Sequence, residues 1–497
     1  MQSLIFDRVS FAYAGGDEIL RDVSLALTPG WTAIVGDNGA GKSTLLALAA
    51  GALTPTAGHV RRHAMGCVAV VPQRVDALDA AVRGFAEADD ADAARWRARL
   101  GLAPEALGRW AVLSPGERKR WQLGAALARE PDLLIVDEPT NHLDAEALAR
   151  SVDALAGFRG LGLVVSHDRG LLARLPAVTV RVHGGQATPW AGGYDDARAA
   201  WTAAAAAAHA RRAALGATRR LEERRLHQAR TREQAAARAV GGSARIKDRH
   251  DADGRSMGRK NLASWAAAAA GRAVDRAHGR LATAQAAEAA VVVERARGAP
   301  VQVVAGAAAR RWLVQLDAPI VCAGDRVVAR DVRVAVARDD RIWLRGGNGS
   351  GKSTLLAALA AAWTLPAEAL VVLPQELTAD ACVALGAAVR RLDRAARGQV
   401  GQLAAALGID PARALGSALP SPGEARKLAL ALGLARRPAL VMLDEPTNHL
   451  DLPSIERLEV ALAAYTGALV LVSHDERLGA ALATTTWELG RGQLRVR

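Results

Sequence analysis

One eight-residue sequence occurs twice in this chain, and it constrains the fold more than any other feature. Asp-Glu-Pro-Thr-Asn-His-Leu-Asp fills residues 137–144 and again residues 444–451. Each copy directly follows an apolar run, at residues 133–136 or 440–443. A short apolar run that ends in carboxylates is typical of a buried strand, and ligands bind at the carboxyl edge of an open α/β sheet. We therefore expect two α/β units, each with acidic residues at a ligand site.

Two further motifs recur at fixed distances from both acidic motifs. Ser-His-Asp follows, and its histidine lies 29 residues after Glu138 or Glu445. Ser-Pro-Gly-Glu precedes each glutamate by 24 residues, starting at Ser114 and at Ser421. Three motifs at equal offsets in two places indicate that one unit has been duplicated.

A glycine-rich loop near the start of each half is predicted to bind phosphate. Residues 36–43 and 346–353 both read Gly-x4-Gly-Lys-Ser, between a short apolar strand and an Ala/Leu-rich helix, which is the context that this motif requires. Its glycines let backbone N–H groups surround phosphate oxygens, and the helix N-terminus adds its dipole. The predicted loop residues are Gly36, Asn38, Gly39, Gly41, Lys42, Ser43, Thr44, Gly346, Asn348, Gly349, Gly351, Lys352, Ser353 and Thr354.

These loops and the acidic motifs together predict a site for Mg²⁺ and a nucleoside triphosphate. The two lysines would reach the β- and γ-phosphates, and Ser43 and Ser353 would ligate the metal. Asp137 and Asp444 are predicted outer-sphere partners of that metal. The glutamates after them are placed to orient or deprotonate an attacking water. The catalytic candidates are Glu138, Glu445, His167 and His474, and the further metal candidates are Gln73 and Gln375.

Some of these residues also have an ordinary structural interpretation. A lone histidine at a strand end is usually a surface residue, but the fixed offset in both halves favours a function for these two. Gln73 and Gln375, taken singly, are turn residues. Ser-Pro-Gly-Glu predicts a helix start with Ser at the cap, Pro in the first position and Glu closing a capping box. Such a helix start is also an anion site, so both interpretations stand.

Most of the net positive charge lies between the two halves. The chain has a formal net charge of +13, and residues 197–298 alone hold 21 Lys and Arg against 9 Asp and Glu. Residues 196–240 are rich in helix formers, Gly241-Gly242 are expected to end that helix, and residues 243–258 form a polar, basic tip. A second helix is predicted from about Asn261 to Glu294. Forty helical residues would span ~60 Å. So large a surplus of basic over acidic residues favours a polyanionic partner such as nucleic acid. The alternative is a charged spacer that binds nothing.

Composition argues against a membrane or secreted protein. No apolar run approaches the ~18 residues that a membrane span needs, and the N-terminus has no signal pattern. The cysteines Cys67, Cys322 and Cys382 are scattered, without metal or redox spacing. The sequence therefore predicts a cytoplasmic protein without an integral membrane segment.

Taken together, the motifs resemble those of the ATP-binding cassette (ABC) family of P-loop NTPases. The family signature, usually Leu-Ser-Gly-Gly-Gln, is Leu-Ser-Pro-Gly-Glu at residues 113–117 and Pro-Ser-Pro-Gly-Glu at residues 420–424. The resemblance implies that each signature contacts the ATP bound by the opposite half, and the proline in both copies bears on how tightly that interface shuts. The signature residues carried over are Ser114, Gly116, Glu117, Ser421, Gly423 and Glu424.

The resemblance also places an aromatic side chain against the adenine. In the first half this is Tyr13, with Phe11 as the alternative. Counting back nine residues from Asp22 and from Asp331 places Cys322 at the matching position in the second half. The second site is therefore expected to hold adenine less firmly.

Two cassettes in one chain and a basic linker resemble the F subfamily, whose members bind ribosomes. The resemblance implies two α/β ABC ATPase domains, residues 1–196 and 300–497, joined by a long α-helical hairpin linker, residues 197–299. Its tip, about residues 241–260, would approach the P-site tRNA and rRNA through the exit site. The predicted RNA-binding residues are Arg245, Lys247, Arg249, Arg255, Arg259 and Lys260.

This family likeness implies that a monomeric chain closes its two cassettes head to tail around two ATP–Mg²⁺, and that hydrolysis reopens them. One site would join Lys42, Glu138 and His167 to Ser421 and Gly423. The other would join the matching residues of the second half to Ser114 and Gly116. Antibiotic resistance and general translation control both remain open. The alternatives are the ATPase subunit of an ABC exporter with a separate membrane protein, a DNA-repair ATPase, and an adaptor without turnover.

Overall fold

The computed structural model describes residues 2–73, 77–140, 143, 145–242, 253–293, 303–306, 310–409 and 421–497. The chain divides into two compact units. One unit contains Met1–Ala197 and Arg297–Arg497, hereafter the first and second cassettes, and the other contains Arg198–Ala296, hereafter the hairpin.

The first cassette is built on a six-stranded sheet with the order β5-β6-β7-β3-β8-β9, in which β9 alone is antiparallel. Its central strands are continuous apolar runs and are buried on both faces, as strands of parallel sheets are. A separate antiparallel sheet has the order β2-β1-β4. The strands are β1 Ser3–Ala12, β2 Glu18–Leu27, β3 Gly30–Val35, β4 Ala57–His63, β5 Val68–Val71, β6 Leu133–Asp137, β7 Leu161–Val165, β8 Val178–His183 and β9 Gln186–Ala191.

The second cassette repeats this sheet with the order β13-β14-β15-β12-β16-β17, again with an antiparallel last strand. Its additional sheet is the antiparallel pair β10 and β11. The strands are β10 Trp312–Ala323, β11 Arg326–Ala337, β12 Arg341–Arg345, β13 Leu370–Leu373, β14 Leu440–Asp444, β15 Ala468–Val472, β16 Thr485–Gly490 and β17 Gln493–Val496. The equal strand orders confirm two α/β domains of one kind.

Helices connect the parallel strands in both cassettes. Those of the first cassette are α1 Lys42–Ala50, α2 Ala80–Glu87, α3 Ala91–Leu100, α4 Pro115–Ala128, α5 Ala145–Ala156 and α6 Arg169–Arg174, with a 3₁₀ helix at Pro104–Val112. The hairpin helices are α7 Tyr194–Gly242 and α8 Asp253–Ala289. Those of the second cassette are α9 Lys352–Ala361, α10 Ala379–Arg391, α11 Arg394–Ala406, α12 Pro422–Ala435, α13 Leu452–Ala463 and α14 Glu476–Leu482, with a 3₁₀ turn at Ala367–Ala369. None of the helices that the structure describes is long and apolar enough to cross a membrane.

The hairpin consists of two antiparallel helices with a narrow contact. Arg219 of α7 donates to Glu288 of α8 at 2.8 Å, and Arg230 Nη2 lies 3.3 Å from His278 Nε2. The later residue of α7 is thus paired with the earlier residue of α8, as in antiparallel helices. Leu226 is buried in this unit, as are two alanines of α8. Small side chains allow the two helices to approach closely, while most charged side chains remain exposed.

The structure corrects the predicted limits of the hairpin helices. Gly241 and Gly242 are helical and belong to α7, so they do not break this helix as predicted. Residues 253–260, which were predicted to belong to the tip, are already helical and belong to α8. It ends at Ala289 instead of Glu294, before three β-branched valines at 291–293.

Candidate functional site

Each glycine-rich loop leads from a central strand into a helix, and its first glycine lies against the neighbouring strand. The first loop joins β3 to α1, and a Cβ at Gly36 would lie 2.2 Å from the carbonyl oxygen of Val182. The second joins β12 to α9, and a Cβ at Gly346 would lie 2.4 Å from the carbonyl oxygen of Leu489. Glycine is therefore required at these two positions by the close approach of the neighbouring strand.

The lysine of each loop folds back over the loop that carries it. Lys42 Nζ donates to the carbonyl oxygens of the first two loop residues at 2.8 and 3.0 Å, and Lys352 Nζ does the same at 2.8 and 3.1 Å. Both lysines are less than a tenth exposed. Burial lowers the pKa of Lys42. Each ammonium group is thus held against the loop that is predicted to bind phosphate.

The two predicted catalytic glutamates have the same unusual backbone. Glu138 follows β6 and Glu445 follows β14. Their φ angles are 48° and 45°, in the left-handed region that residues other than glycine seldom adopt. Each backbone N–H donates to the last residue of the adjacent strand, Val165 at 2.8 Å or Val472 at 2.9 Å. Strain held by such anchoring is a feature of functional sites.

Each glutamate meets the histidine predicted to act with it. Glu138 Oε2 accepts from the His167 backbone N–H at 3.2 Å, and Oε1 lies 3.1 Å from His167 Nε2. Glu445 makes the same contacts with His474, at 3.2 and 3.4 Å. Burial is the main reason that the pKa of Glu138 rises to about 8 and that of Glu445 to about 7. A carboxylate with a pKa near neutrality is a suitable general base for water.

The aspartates beside them fit a divalent cation. Burial raises the pKa of Asp444, and a hydrogen bond from Ser353 opposes that rise. Asp444 Oδ1 is buried and accepts no hydrogen bond from any residue that the structure describes. A buried carboxylate oxygen next to a serine hydroxyl is the donor set expected around Mg²⁺. Burial also raises the pKa of Asp137.

Both signature motifs form the predicted capping box. Ser114 caps α4: its Oγ accepts from the Glu117 backbone N–H, while Glu117 Oε2 accepts from the serine N–H at 2.8 Å and from its hydroxyl at 2.7 Å. Ser421 and Glu424 repeat the arrangement at the start of α12, at 3.0 and 2.9 Å. Gly116 and Gly423 are buried in the first turns of these helices.

A cavity of about 820 Å³ lies between the two cassettes. It brings together residues that the sequence predicted for both ATP sites, although the described residues that line it do not include Lys42, Ser43 or Asp137. Predicted residues on its wall include Asn38, Ser114, His167, Lys352, Glu445 and Ser421. Gln73 and Gln375 are exposed and also line it.

The first phosphate loop contacts the second cassette directly. The Asn38 backbone N–H donates to Asp451 Oδ2 at 2.7 Å, and Asn38 Nδ2 donates to the carbonyl oxygen of His449 at 3.3 Å. That carbonyl oxygen lies where a Cβ on Gly423 would meet it at 2.6 Å. The second signature therefore packs beside the first phosphate loop, which is the head-to-tail order.

Further ionic contacts join the cassettes behind this loop. Arg169 of α6 donates to Glu459 of α13 at 2.5 Å and lies 3.9 Å from Asp475. The Tyr194 hydroxyl donates to Glu456 at 2.8 Å. Sequence alone does not predict these contacts, because the partners lie more than 260 positions apart.

The predicted adenine positions differ between the halves. Tyr13 is half exposed, its hydroxyl lies 3.4 Å from Thr44 Oγ1, and its ring centroid lies 5.0 Å from that of Phe11, with the two rings perpendicular. Cys322 is exposed near the end of β10. In the second cassette Arg326 lines the cavity.

Some predicted residues fall outside what the structure describes. Arg245, Lys247 and Arg249 of the tip lie outside the described residues, as do Asn141, His142 and Asp144 of the first acidic motif. Arg255, Arg259 and Lys260 lie in the first turns of α8. The assignment of the tip to RNA therefore stays a prediction.

Comparison with known proteins bears on both cassettes. The sequence matches the ABC transporter family over residues 20–141 and 329–448. It is 33% identical to the tylosin resistance ATP-binding protein TlrC of Streptomyces fradiae, with 95% of each chain covered. The chain belongs to the ATP-binding cassette family. Its two cassettes and its relatives place it in the F subfamily, and it is an ATP hydrolase.

Two other relatives extend this comparison. The ribosome protection protein VmlR of Bacillus subtilis is 27% identical over 89% of this chain and 78% of its own. The energy-dependent translational throttle protein EttA of Mycobacterium tuberculosis is 27% identical over 96% and 89%. Among solved structures, a complex of the archaeal ribosomal stalk protein aP1 with the recycling factor aABCE1 aligns with a TM-score of 0.60. It covers 99% of this chain and 89% of that one at 17% identity, and supports the fold alone.

Proposed function

We propose that this chain is a cytoplasmic, ribosome-binding ATPase whose cassettes close around two ATP–Mg²⁺ and open after hydrolysis. Closing sets the hairpin in the posture that binds the ribosome near the exit-site and P-site tRNA, and hydrolysis releases it. The observation that carries this proposal is the single cavity shared by both signatures, both histidines and the second phosphate loop. An ATP bound there would contact both cassettes and hold them together.

Each step of this cycle is assigned to particular residues of the two cassettes. The loop lysines and N–H groups bind the phosphates, and Glu138 and Glu445 accept a proton from the attacking water. Ser43, Ser353, Gln73, Gln375, Asp137 and Asp444 would hold Mg²⁺, which neutralises charge on the phosphates when bound. His167 and His474 are placed to report the γ-phosphate, because each contacts its glutamate through both backbone and ring.

The charge of the hairpin supports an RNA partner. Arg and Lys that meet phosphates give affinity without reading sequence, and most of the net charge of +13 is concentrated in this part of the chain. The names of the relatives point to the ribosome: one is a ribosome protection protein and one a translational throttle protein. We therefore assign rRNA and P-site tRNA as the partners of the tip.

Protection against an antibiotic is favoured over general control of translation. The relative at 33% identity, TlrC, is named for tylosin resistance, and the translational throttle protein is 27% identical. An exporter subunit would leave a basic hairpin of this length without a partner. We propose a macrolide of the tylosin type as the first drug to test.

The decisive experiment traps the closed state on ribosomes. The double variant Glu138→Gln with Glu445→Gln, incubated with ATP and 70S ribosomes, is expected to yield a stable complex whose tip density adjoins the P-site tRNA. The wild type with ADP is the control and should dissociate. Cassettes splayed apart with nucleotide on one cassette each, or binding to membranes instead of ribosomes, would contradict the proposal.

A second experiment tests the drug. Cells that express the wild type should survive a higher tylosin concentration than cells that express the double variant. Equal sensitivity, together with a ribosome complex of the trapped variant, would favour translation control over resistance.

A further inference from the structure

A buried basic side chain occupies the same position in both signature helices. Lys119 lies five residues after Ser114 in α4, and Arg426 lies five residues after Ser421 in α12. They are only 4% and 3% exposed. A buried cation is costly unless hydrogen bonds compensate it, so its partners identify its role.

Lys119 joins two separate segments of the first cassette. Its Nζ donates to the carbonyl oxygen of Asp137 at 2.7 Å, at the end of strand β6. It also donates to the carbonyl oxygen of Pro72 and lies 3.4 Å from that of Gln73, in the loop that follows β5. One ammonium group therefore holds the glutamine loop and the acidic strand end together from the signature helix.

Arg426 makes the same connection in the second cassette with more bonds. Its Nη1 donates to the carbonyl oxygens of Pro374 at 3.1 Å and of Gln375. Its Nη2 donates to those of Asp444 at 3.1 Å and Glu445 at 2.8 Å. A guanidinium group can span both segments at once because its donors point in fixed, separate directions.

These connections cross from one ATP site to the other. In the second cassette, Gly423 packs against the His449 carbonyl that accepts from Asn38, so that α12 presents its first turn to the first phosphate loop. Glu445, held by Arg426, lines the cavity with the second phosphate loop instead. About 7.5 Å of rigid helix separates the two ends, at 1.5 Å per residue.

We propose that Lys119 and Arg426 are positioning residues that couple the two ATP sites. Each fixes the signature that serves one site to the glutamine loop and acidic strand end that serve the other. A shift of either loop or strand end at one site then moves the signature at the other through a single short helix. This inference rests on the proposed composite sites, and physical continuity of this kind is what coupling between sites requires.

The test measures turnover at the site that the changed residue does not touch. In Glu138→Gln, hydrolysis is confined to the site of Glu445, whose signature is Ser114. Adding Lys119→Met should lower kcat at that distant site about tenfold, a difference of about 1.4 kcal/mol. Adding Lys119→Arg should keep kcat within about threefold of the Glu138→Gln parent. A purely local role of Lys119 predicts no change, because the site beside it is already inactive.

Matched variants separate coupling from general damage. Arg118→Met removes the neighbouring cation, which donates to carbonyl oxygens of the preceding 3₁₀ helix, and should leave turnover unchanged. Turnover of Glu138→Gln with Lys119→Met within twofold of its parent overturns the inference. If Lys119→Met is unfolded, Arg426→Gln in the Glu445→Gln background replaces it, because it likewise removes the buried cation. The value of kcat is then expected to fall about tenfold, and a value within twofold of the Glu445→Gln parent overturns the inference equally.

The same experiment distinguishes failure of the proposed coupling from failure of the proposed composite ATP sites. If either Glu138→Gln or Glu445→Gln alone retains wild-type turnover, the proposed composite sites are wrong. If both lower turnover and the added Lys119→Met does not, the sites stand and only the coupling fails.

Discussion

The backbone N–H of Asn38 donates to Asp451 Oδ2 at 2.7 Å across 413 residues of sequence. This hydrogen bond joins the first phosphate loop to the residue that caps α13 in the second cassette. Asp451 is buried, and its proximity to Lys427 helps to lower its pKa although burial opposes this, so it carries a negative charge at neutral pH. The contact therefore ties the position of the first phosphate loop to that of the opposite cassette.

Asp451→Asn should weaken this contact while preserving the helix cap, because asparagine caps helices as well as aspartate does. A hydrogen bond to a charged group contributes about 1.5–3 kcal/mol, so ATP affinity of the Gln double variant should fall roughly 10–100-fold. Equilibrium binding of a fluorescent ATP analogue measures this. Asp393→Asn, which changes an exposed cap in α11, is the control and should bind normally.

Loss of either catalytic carboxylate should remove ATP hydrolysis at the site to which that carboxylate belongs. General base catalysis contributes about 10²–10⁴-fold, so Glu138→Gln with Glu445→Gln should lower kcat by that factor while ATP still binds. Phosphate release under saturating ATP is the measurement. Glu146→Gln alters an exposed glutamate of α5 and should turn over normally; wild-type rates in the double variant would refute the assignment.

The two sites should differ in their pH dependence. A base must be ionised, so turnover is lost as pH falls through the raised pKa of each glutamate. In Glu445→Gln the remaining base is Glu138, with a pKa of about 8, and in Glu138→Gln it is Glu445, with a pKa of about 7. Between pH 5.5 and 8.5, the midpoint of the kcat profile of Glu445→Gln should therefore lie about one pH unit above that of Glu138→Gln. Flat profiles for both variants across this pH range would show that burial raises the pKa of neither carboxyl.

The Arg169–Glu459 pair should stabilise the association of the cassettes more than a surface pair does. The side chain of Arg169 is 9% exposed and that of Glu459 is 29% exposed. A double-mutant cycle with Arg169→Met and Glu459→Gln should give a coupling free energy of unfolding of about 0.5–3 kcal/mol. The exposed pair Arg174–Asp153, at 62% each, should give less than about 1 kcal/mol. Equal couplings would show that burial adds nothing here.

Tyr13 and Cys322 should account for unequal nucleotide binding. Tyr13→Ala should weaken ATP binding at the first site by about 1–3 kcal/mol, the usual contribution of a base stacked on an aromatic ring. Tyr13→Phe removes only the hydroxyl near Thr44 and should bind almost normally. Cys322→Tyr should tighten the second site. Titration calorimetry resolves both, and no change in Tyr13→Ala would remove tyrosine from the adenine site.

Local chemistry explains why much of this fold is predictable. The apolar runs before Asp137 and Asp444 become central strands because only a strand buried on both faces tolerates such a sequence. The capping boxes at Ser114 and Ser421 form within four residues, so their geometry needs no distant partner.

The remaining features depend on contacts that sequence distance hides. Asn38 and Arg169 form hydrogen bonds with the opposite cassette, and the sequence around each residue does not predict them. Lys119 and Arg426 read as ordinary helix cations until their burial is seen. Their equal offset of five residues from each signature serine was the available signal, and comparison of the two halves at basic positions would have found it.

The capping box limits how well the hydroxyl of the signature serine could bind a phosphate of ATP. The hydroxyl of Ser114 already donates to Glu117, and Pro115 has no N–H with which to replace that donor. In the proposed closed state, a phosphate of ATP held by the opposite cassette would have to displace this carboxylate in order to bind the serine hydroxyl. Because one anion would replace another, the net stabilisation would be small, and the two cassettes would separate readily.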